Sequence, residues 1–282
     1  MIASMAAFTL EDALIKQLSK ELPLSEVLII FGFSGVIIFA LLLKHHNLPF
    51  INPNASLVII GVRALFELIG RIFYFLAIVM ASLSSATIIL QATPIIVVIG
   101  AYFYFREKIS PTRWLAVSLG LLGVIVVVNP SADDFSLASV FAVIGIIGFA
   151  GRDLLSRATA GSLHEFQLGV YGYVVIMISG LLYSFFDARL FSVPSWNACF
   201  LISLVIPIGL FAYLSLTKAM RTGDVGAVTP FRYTRLIFGV GIAAIFFHEQ
   251  ITVQVLIGCL IIIMSGLMIA WSTRSRPSNI AK

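Results

Sequence analysis

Three charged side chains spaced four residues apart, Arg63, Glu67 and Arg71, stand within an apolar run from 57 to 80. At roughly 100° per residue they drift only about 80° around a helix, so they form one polar stripe with Gly70 and Tyr74 beside it. A charge at the centre of a bilayer costs about 2.5–3.5 kcal/mol on insertion scales, so three in one span require partners or a wet cavity. The plain structural reading is a self-neutralising ladder in which Glu67 bridges its neighbours. One glutamate against two arginines still leaves a positive charge that needs an anion. That anion is a carboxylate or phosphate from outside, or a protein carboxylate such as Asp153.

A later run carries a comparable set. Arg232 and Arg235 lie one turn apart on the face that holds Gly239 and Ala243, and Tyr233 points roughly 100° away from Arg232. Arginine suits bidentate recognition of carboxylate or phosphate, and tyrosine suits stacking on a flat ring or capping it with a hydrogen bond. Against a site role, Arg232 is near enough to the start of its run to snorkel to the interface. Arg152 and Asp153, near the end of the run 137 to 158, fit a boundary pair or a cavity role equally. Gln91 stands one turn before Pro94, where a buried amide either ties helices together or touches a ligand. Pro94 removes a backbone N–H and frees a carbonyl, as Pro207 does later. The candidate substrate-binding set is therefore Arg63, Glu67, Arg71, Tyr74, Gln91, Arg152, Asp153, Arg232, Tyr233 and Arg235.

The elements that must hold these groups are set by composition. Hydrophobic residues make up 60% and charged residues 11% of the 282-residue chain, against about 25% charge in a soluble domain. Mean hydropathy is +1.07. The apolar runs have the length of bilayer-crossing helices, not of the alternating strands of an outer-membrane barrel. The fold class is an all-α integral membrane protein with ten spans: 1–18, 24–43, 57–80, 83–104, 112–129, 137–158, 165–186, 197–220, 224–247 and 252–272. The first reads as a retained, short or slightly truncated helix, without the basic leader and cleavage site of a signal peptide. The net charge of +5 belongs to cytoplasmic loops and not to nucleic-acid binding. Cys199 and Cys259 indicate neither a disulfide nor a thiolate site, and the four histidines lack metal-ligand spacing. No cofactor or metal is expected.

Phe105-Arg106-Glu107 returns as Phe247-His248-Glu249 after 142 residues, and Asp12-x-x-x-Lys16 returns as Asp153-x-x-x-Arg157 after 141. The chain reads as one unit written twice, residues 1–130 and 131–282. Five spans per unit is an odd number, so the second unit enters from the opposite face. With the N-terminus inside, the inner segments hold Lys44, Arg106, Lys108, Arg113, Arg157, Lys218, Arg221, Arg274, Arg276 and Lys282, and the outer loops only Lys16, Lys20 and Arg189. That asymmetry puts both termini in the cytoplasm. Glu107 and Glu249 fall at span ends near water, where a carboxylate caps a loop more readily than it relays protons. Glu67 is the better-placed carboxylate for proton coupling, although Arg63 and Arg71 favour its ionised form.

The order of spans, the Ala-Ser-x-x-Ser-Ala-Thr-x-x-x-Gln-x-x-Pro run from Ala81 to Pro94, the Phe105-x-Glu107 ending and Gly120-x-x-Gly123-Val124 resemble the drug/metabolite transporter superfamily, EamA type. The resemblance covers nearly the whole chain. Proline lies thirteen residues before glutamate in the first half, as Pro94 and Glu107, whereas the matching position of the second half is Leu236. The resemblance implies two inverted five-helix repeats around a central cavity, moving a small metabolite by alternating access across a bacterial inner membrane. Amino acid derivatives, S-adenosylmethionine-like compounds and flavins all lie within what it allows. The expected partners are that small molecule and the lipid bilayer, with coupling to protons or another ion and a monomer or homodimer left open. An intramembrane enzyme or a channel is the alternative. No His-x-x-x-His, Gly-x-Ser-x-Gly or P-loop motif supports the enzyme or an ATP-driven pump, and a secondary carrier is the expectation.

Overall fold

The computed structural model describes the chain except residues 54, 81–90, 107–108, 129–136, 187–190, 223–224, 247–251 and 275–282. The glutamates of both copies of the repeated motif, and most of the Ala81 to Pro94 run, lie outside the described residues. The described elements are all helical, with no strand among them. They are α1 (Ile2–Leu18), α2 (Leu24–His45), α3 (Leu57–Met80), α4 (Thr93–Phe105), α5 (Pro111–Val128), α6 (Leu137–Ala158), α7 (Glu165–Ser184), α8 (Trp196–Thr222), a broken segment ending in α9 (Thr234–Phe246), and α10 (Val253–Arg274).

Helix ends follow local chemistry. The backbone N–H of Phe166 donates to His164 Nδ1 (3.2 Å), and that of His164 donates to Gln167 Oε1 (2.8 Å), so a capping box opens α7. Arg106, in the left-handed region at φ 54°, closes α4. Pro94 stands in the first turn of α4, where its missing N–H costs no helical hydrogen bond, instead of inside a described continuous helix as expected. Pro207, by contrast, is inside α8, which runs through it. The ninth segment departs from the uninterrupted span read from sequence. Val225–Val228 is one α-helical turn, Thr229–Tyr233 is 3₁₀ helix, and only then does α9 begin. Pro230 accounts for the break, because it has no N–H and its ring crowds the preceding turn.

The main helix pairings are α1 with α8, α3 with α6, α2 with α7, and α5 with α10. Small residues bring α3 and α6 together: a Cβ on Gly148 would come 2.5 Å from the backbone nitrogen of Gly70, and one on Gly145 would come 2.9 Å from that of Tyr74. Phe31, Phe39, Tyr173 and Tyr213 form an aromatic core between α2, α7 and α8, with ring centroids 5.1–6.4 Å apart. The outer faces are apolar. Leu41, Phe103 and Leu260 are each well over half exposed, an arrangement suited to lipid and costly in water. Among the described residues α2, α7 and α8 are long and apolar enough to cross a membrane.

The loops join in two sets. Asn52 Nδ2 donates to the Ser162 carbonyl (2.6 Å), Gln167 Nε2 to that of Pro49 (2.7 Å) and Tyr171 Oη to that of Phe50 (2.6 Å), tying the α2–α3 loop to the start of α7. At the α1–α2 turn, Glu21 accepts from Ser195 Oγ and Asn197 Nδ2, both at 2.6 Å.

Candidate functional site

Glu67 is fully buried near the middle of α3 and shared by three guanidinium groups. Its Oε2 lies 3.2 Å from Arg63 Nη1, and its Oε1 lies 3.4 Å from Arg152 Nη1 and a looser 3.9 Å from Arg71 Nη2. Arg63 is also held from α6 and α8. Its Nε donates to Ser156 Oγ (2.8 Å) and its Nη2 to Tyr213 Oη, which in turn donates to the Leu168 carbonyl (3.1 Å). Asp153 continues the network: its Oδ1 accepts from Arg152 Nε (2.9 Å) and Nη2 (2.8 Å), and its Oδ2 pairs with Arg232. The Arg152 guanidinium also lies 5.2 Å from the Phe149 ring centroid.

Charge balance follows from this inventory. Among the described residues Arg63, Arg71, Arg152 and Arg232 are ion-paired to Glu67 and Asp153, and Glu11 is a third acidic side chain close to Arg71, so guanidinium groups outnumber carboxyl groups by one. Arginine does not deprotonate in proteins, so the excess is permanent. A small cavity of about 10 Å³ opens among Arg63, Arg152, Asp153, Ser156, Tyr213 and Thr217, which is room for about one water. In this conformation the charged side chains fill the centre themselves.

A second ion pair lies on α1. Arg235, at the start of α9, pairs with Asp12 and stands 5.4 Å from the Phe8 ring centroid. This pair is more open, with 26% of the Arg235 and 56% of the Asp12 side chain exposed. Glu11 sits beside it and interacts electrostatically with Arg71 and Arg235.

Seven of the ten residues singled out from sequence are thus ion-paired inside the helix bundle: Arg63, Glu67, Arg71, Arg152, Asp153, Arg232 and Arg235. Arg152 and Asp153 are buried partners across α3, α6 and the broken segment, not a boundary pair. Arg232 does not snorkel; it is buried and turned to Asp153 by the 3₁₀ geometry. Tyr74 packs between α3 and α6 with its ring 5.9 Å from that of Phe149, on the side facing Arg235. Gln91 is buried in the turn before α4 and is not among the cavity-lining residues. Tyr233 faces away from the arginines. It donates to the Val117 carbonyl (3.1 Å) and its ring fills the space over Gly120, beside Val124 and Ile262, locking the broken segment onto α5.

The EamA-like transporter family model matches residues 1–129 and again 136–271. The chain belongs to the EamA-like transporter family. It is a membrane protein of the drug/metabolite transporter type, as the resemblance led one to expect. It is 25% identical over 276 residues to an S-adenosylmethionine uptake transporter of Rickettsia conorii, covering 97% of this chain and 92% of that one. It is 23% identical over 279 residues to the pseudopaline exporter CntI of Pseudomonas aeruginosa, covering 96% and 95%. One solved crystal structure matches with a TM-score of 0.80 at 18% identity, covering 98% of both chains; that likeness speaks for the fold alone.

In this EamA-family chain, Glu11, Ser156 and Tyr213 were missed by sequence reasoning. Serine and tyrosine in an apolar run carry no signal that separates a site from packing. Glu11 had one: the offset of 141 that sets Asp12 on Asp153 also sets Glu11 on Arg152, so the charge in front of the aspartate changes sign between the halves.

Proposed function

We propose that this chain is a secondary carrier that moves a small organic metabolite bearing an anionic or zwitterionic group across the cytoplasmic membrane by alternating access. The observation that carries the reading is the buried, net positive cluster built from both halves, with Arg63, Glu67 and Arg71 from the first and Arg152, Asp153 and Arg232 from the second. Groups split across two bodies can be drawn together or apart as those bodies rock. A permanent surplus of guanidinium at the centre favours a ligand that brings a carboxylate or phosphate.

The same reading divides the chain into two inverted five-helix repeats, residues 1–130 and 131–282, with ten spans and both termini cytoplasmic. The double match of the family model supports the division. So does the pairing of helices, since α1 on α8 and α3 on α6 exchange when the halves are swapped, and α2–α7 and α5–α10 map onto themselves. The loop contacts support the grouping of loops into two faces, since each joins loops that this topology puts on one face. The relatives are named for uptake in one case and export in the other, so the direction of transport does not follow from kinship.

The test is counterflow in liposomes against a metabolite library, with hits chosen by thermal stabilisation of purified protein. Exchange that proceeds without ATP and falls at least about tenfold in Arg71→Ala or Arg235→Ala is expected. Unchanged exchange in both variants overturns the site, and strict dependence on ATP overturns the carrier class.

A further inference from the structure

The small cavity between α3, α6 and α8 has walls rich in hydrogen-bond donors and short of acceptors. Arg63 and Arg152 border it, with Ser156, Tyr213 and Thr217. The hydroxyl hydrogens of Ser156 and Tyr213 are spent on the carbonyls of Arg152 (2.8 Å) and Leu168 (3.1 Å), and their oxygens accept from Arg63. Asp153 also borders the cavity, but both its oxygens are taken, by Arg152 and Arg232. Two donors remain. Arg63 Nη1 is buried and, although 3.2 Å from Glu67 Oε2, makes no hydrogen bond among the described residues. The Thr217 hydroxyl likewise has no partner among the described residues. Water in such a place must donate as well as accept, whereas an anion only accepts.

Charge points the same way. Arg63, Arg71, Arg152, Arg232 and Arg235 stand against Glu11, Asp12, Glu67 and Asp153, which leaves one guanidinium group over the carboxyl groups. An uncompensated charge in the interior is costly, and one monovalent anion cancels it. Size narrows the choice further. About 10 Å³ holds one water-sized particle, so a single-atom anion enters where a carboxylate or phosphate group does not. Leu216 and Met220 complete the wall, and a polarisable, weakly hydrated halide tolerates apolar neighbours better than a strongly hydrated anion does. Gly172 on α7 protects the arrangement: a Cβ there would come 2.1 Å from Tyr213 Oη, so glycine leaves this hydroxyl where Arg63 reaches it.

We infer that this cavity is a binding site for one halide ion, chloride in ordinary media, held by Arg63, Arg152 and the Thr217 hydroxyl between the two halves of the chain. The halide is the counterion of the arginine cluster while the centre is closed. The site rests on the cavity, its unspent donors and the charge surplus, and does not depend on the carrier reading.

The full chain, purified in detergent without chloride, is melted in rising sodium chloride or bromide against sodium gluconate at equal ionic strength. Chloride binding is also read directly, as line broadening in its NMR signal. Halide should raise the melting temperature along a saturating curve that gluconate does not reproduce, and bromide should reverse the chloride broadening. Thr217→Val keeps the side chain's shape and removes the hydroxyl. It should raise the half-saturating chloride concentration about tenfold, the effect of losing a hydrogen bond to a charged group, while Thr217→Ser stays near wild type. Equal stabilisation by gluconate overturns the site, since the effect is then one of ionic strength. Unaltered half-saturation in Thr217→Val overturns it as well, because the halide then binds elsewhere. Halide binding without metabolite exchange in liposomes upholds the site and removes the carrier reading alone; exchange without halide binding does the reverse.

Discussion

Asp12 and Asp153 stand at matching places in α1 and α6, 141 residues apart, and each pairs with an arginine of the broken ninth segment, yet their surroundings are opposite. Asp153 is 3% exposed and accepts from two guanidinium groups; Asp12 is a surface-reaching partner of Arg235. The residue in front completes the contrast. Arg152 is bound on both sides by Glu67 and Asp153, whereas Glu11 keeps an unpaired oxygen. One half has closed its aspartate into a fixed lattice and the other has left its aspartate and glutamate available. A carrier needs both, a rigid part that holds geometry and a looser part that can exchange partners with a ligand.

The largest effect that would break this comparison is at Asp153. Asp153→Ala strands Arg232 in the interior and leaves Arg152 its Glu67 contact alone, and should cost about 3–5 kcal/mol, read as poor yield and a lowered melting temperature in detergent. Normal melting would put the rigid part elsewhere. Glu67→Gln weakens the contact shared by Arg63, Arg71 and Arg152 and should cost about 2–3 kcal/mol by the same measurement. Tyr233→Phe removes one hydrogen bond to Val117, for about 1 kcal/mol, while exchange in liposomes stays near wild type; a large loss of exchange would return this tyrosine to the site. Asp12→Asn, on the open side, should change melting by less than about 1 kcal/mol while lowering exchange.

The smallest effect concerns the loop contact at Glu21. Hydrogen bonds from Ser195 and Asn197 hold its carboxyl below the usual carboxylate range. A folded-state value below the unfolded one means the contact stabilises the protein above the ordinary carboxylate pKa and is lost as pH falls through the lowered value. Glu21→Gln should flatten the acid side of the melting profile slightly, and an unaltered profile would show that this loop contact carries no stability.

Much of the site was legible because charge in an apolar run is expensive and therefore conspicuous. Arg63, Glu67 and Arg71 stood out at helical spacing, and Arg232 and Arg235 stood out near a proline. Their partners were not, because pairing across helices depends on which faces meet. The helical wheel turned Tyr233 away from Arg232 but could not say what it meets there, which is the Val117 carbonyl of α5, reached from the 3₁₀ stretch that holds Pro230. Glu11 escaped notice because the repeat was read from Asp12 and Lys16 alone, and the groups of α3, α7, α8 and α9 that come near Glu11 are brought there only by helix packing.

The sequence by itself determined that this is a helical membrane protein of the EamA type and which charges its interior must accommodate. Composition and helix length are constraints the bilayer imposes on each segment separately, so they can be read one segment at a time. Only the tertiary structure decided that Glu67 is shared by three arginines while Glu11 and Arg71 each keep a buried atom free. Satisfaction of a buried charge is a property of several helices at once, and the close approach of α3 and α6 across Gly70 and Gly148 sets which atoms come within reach.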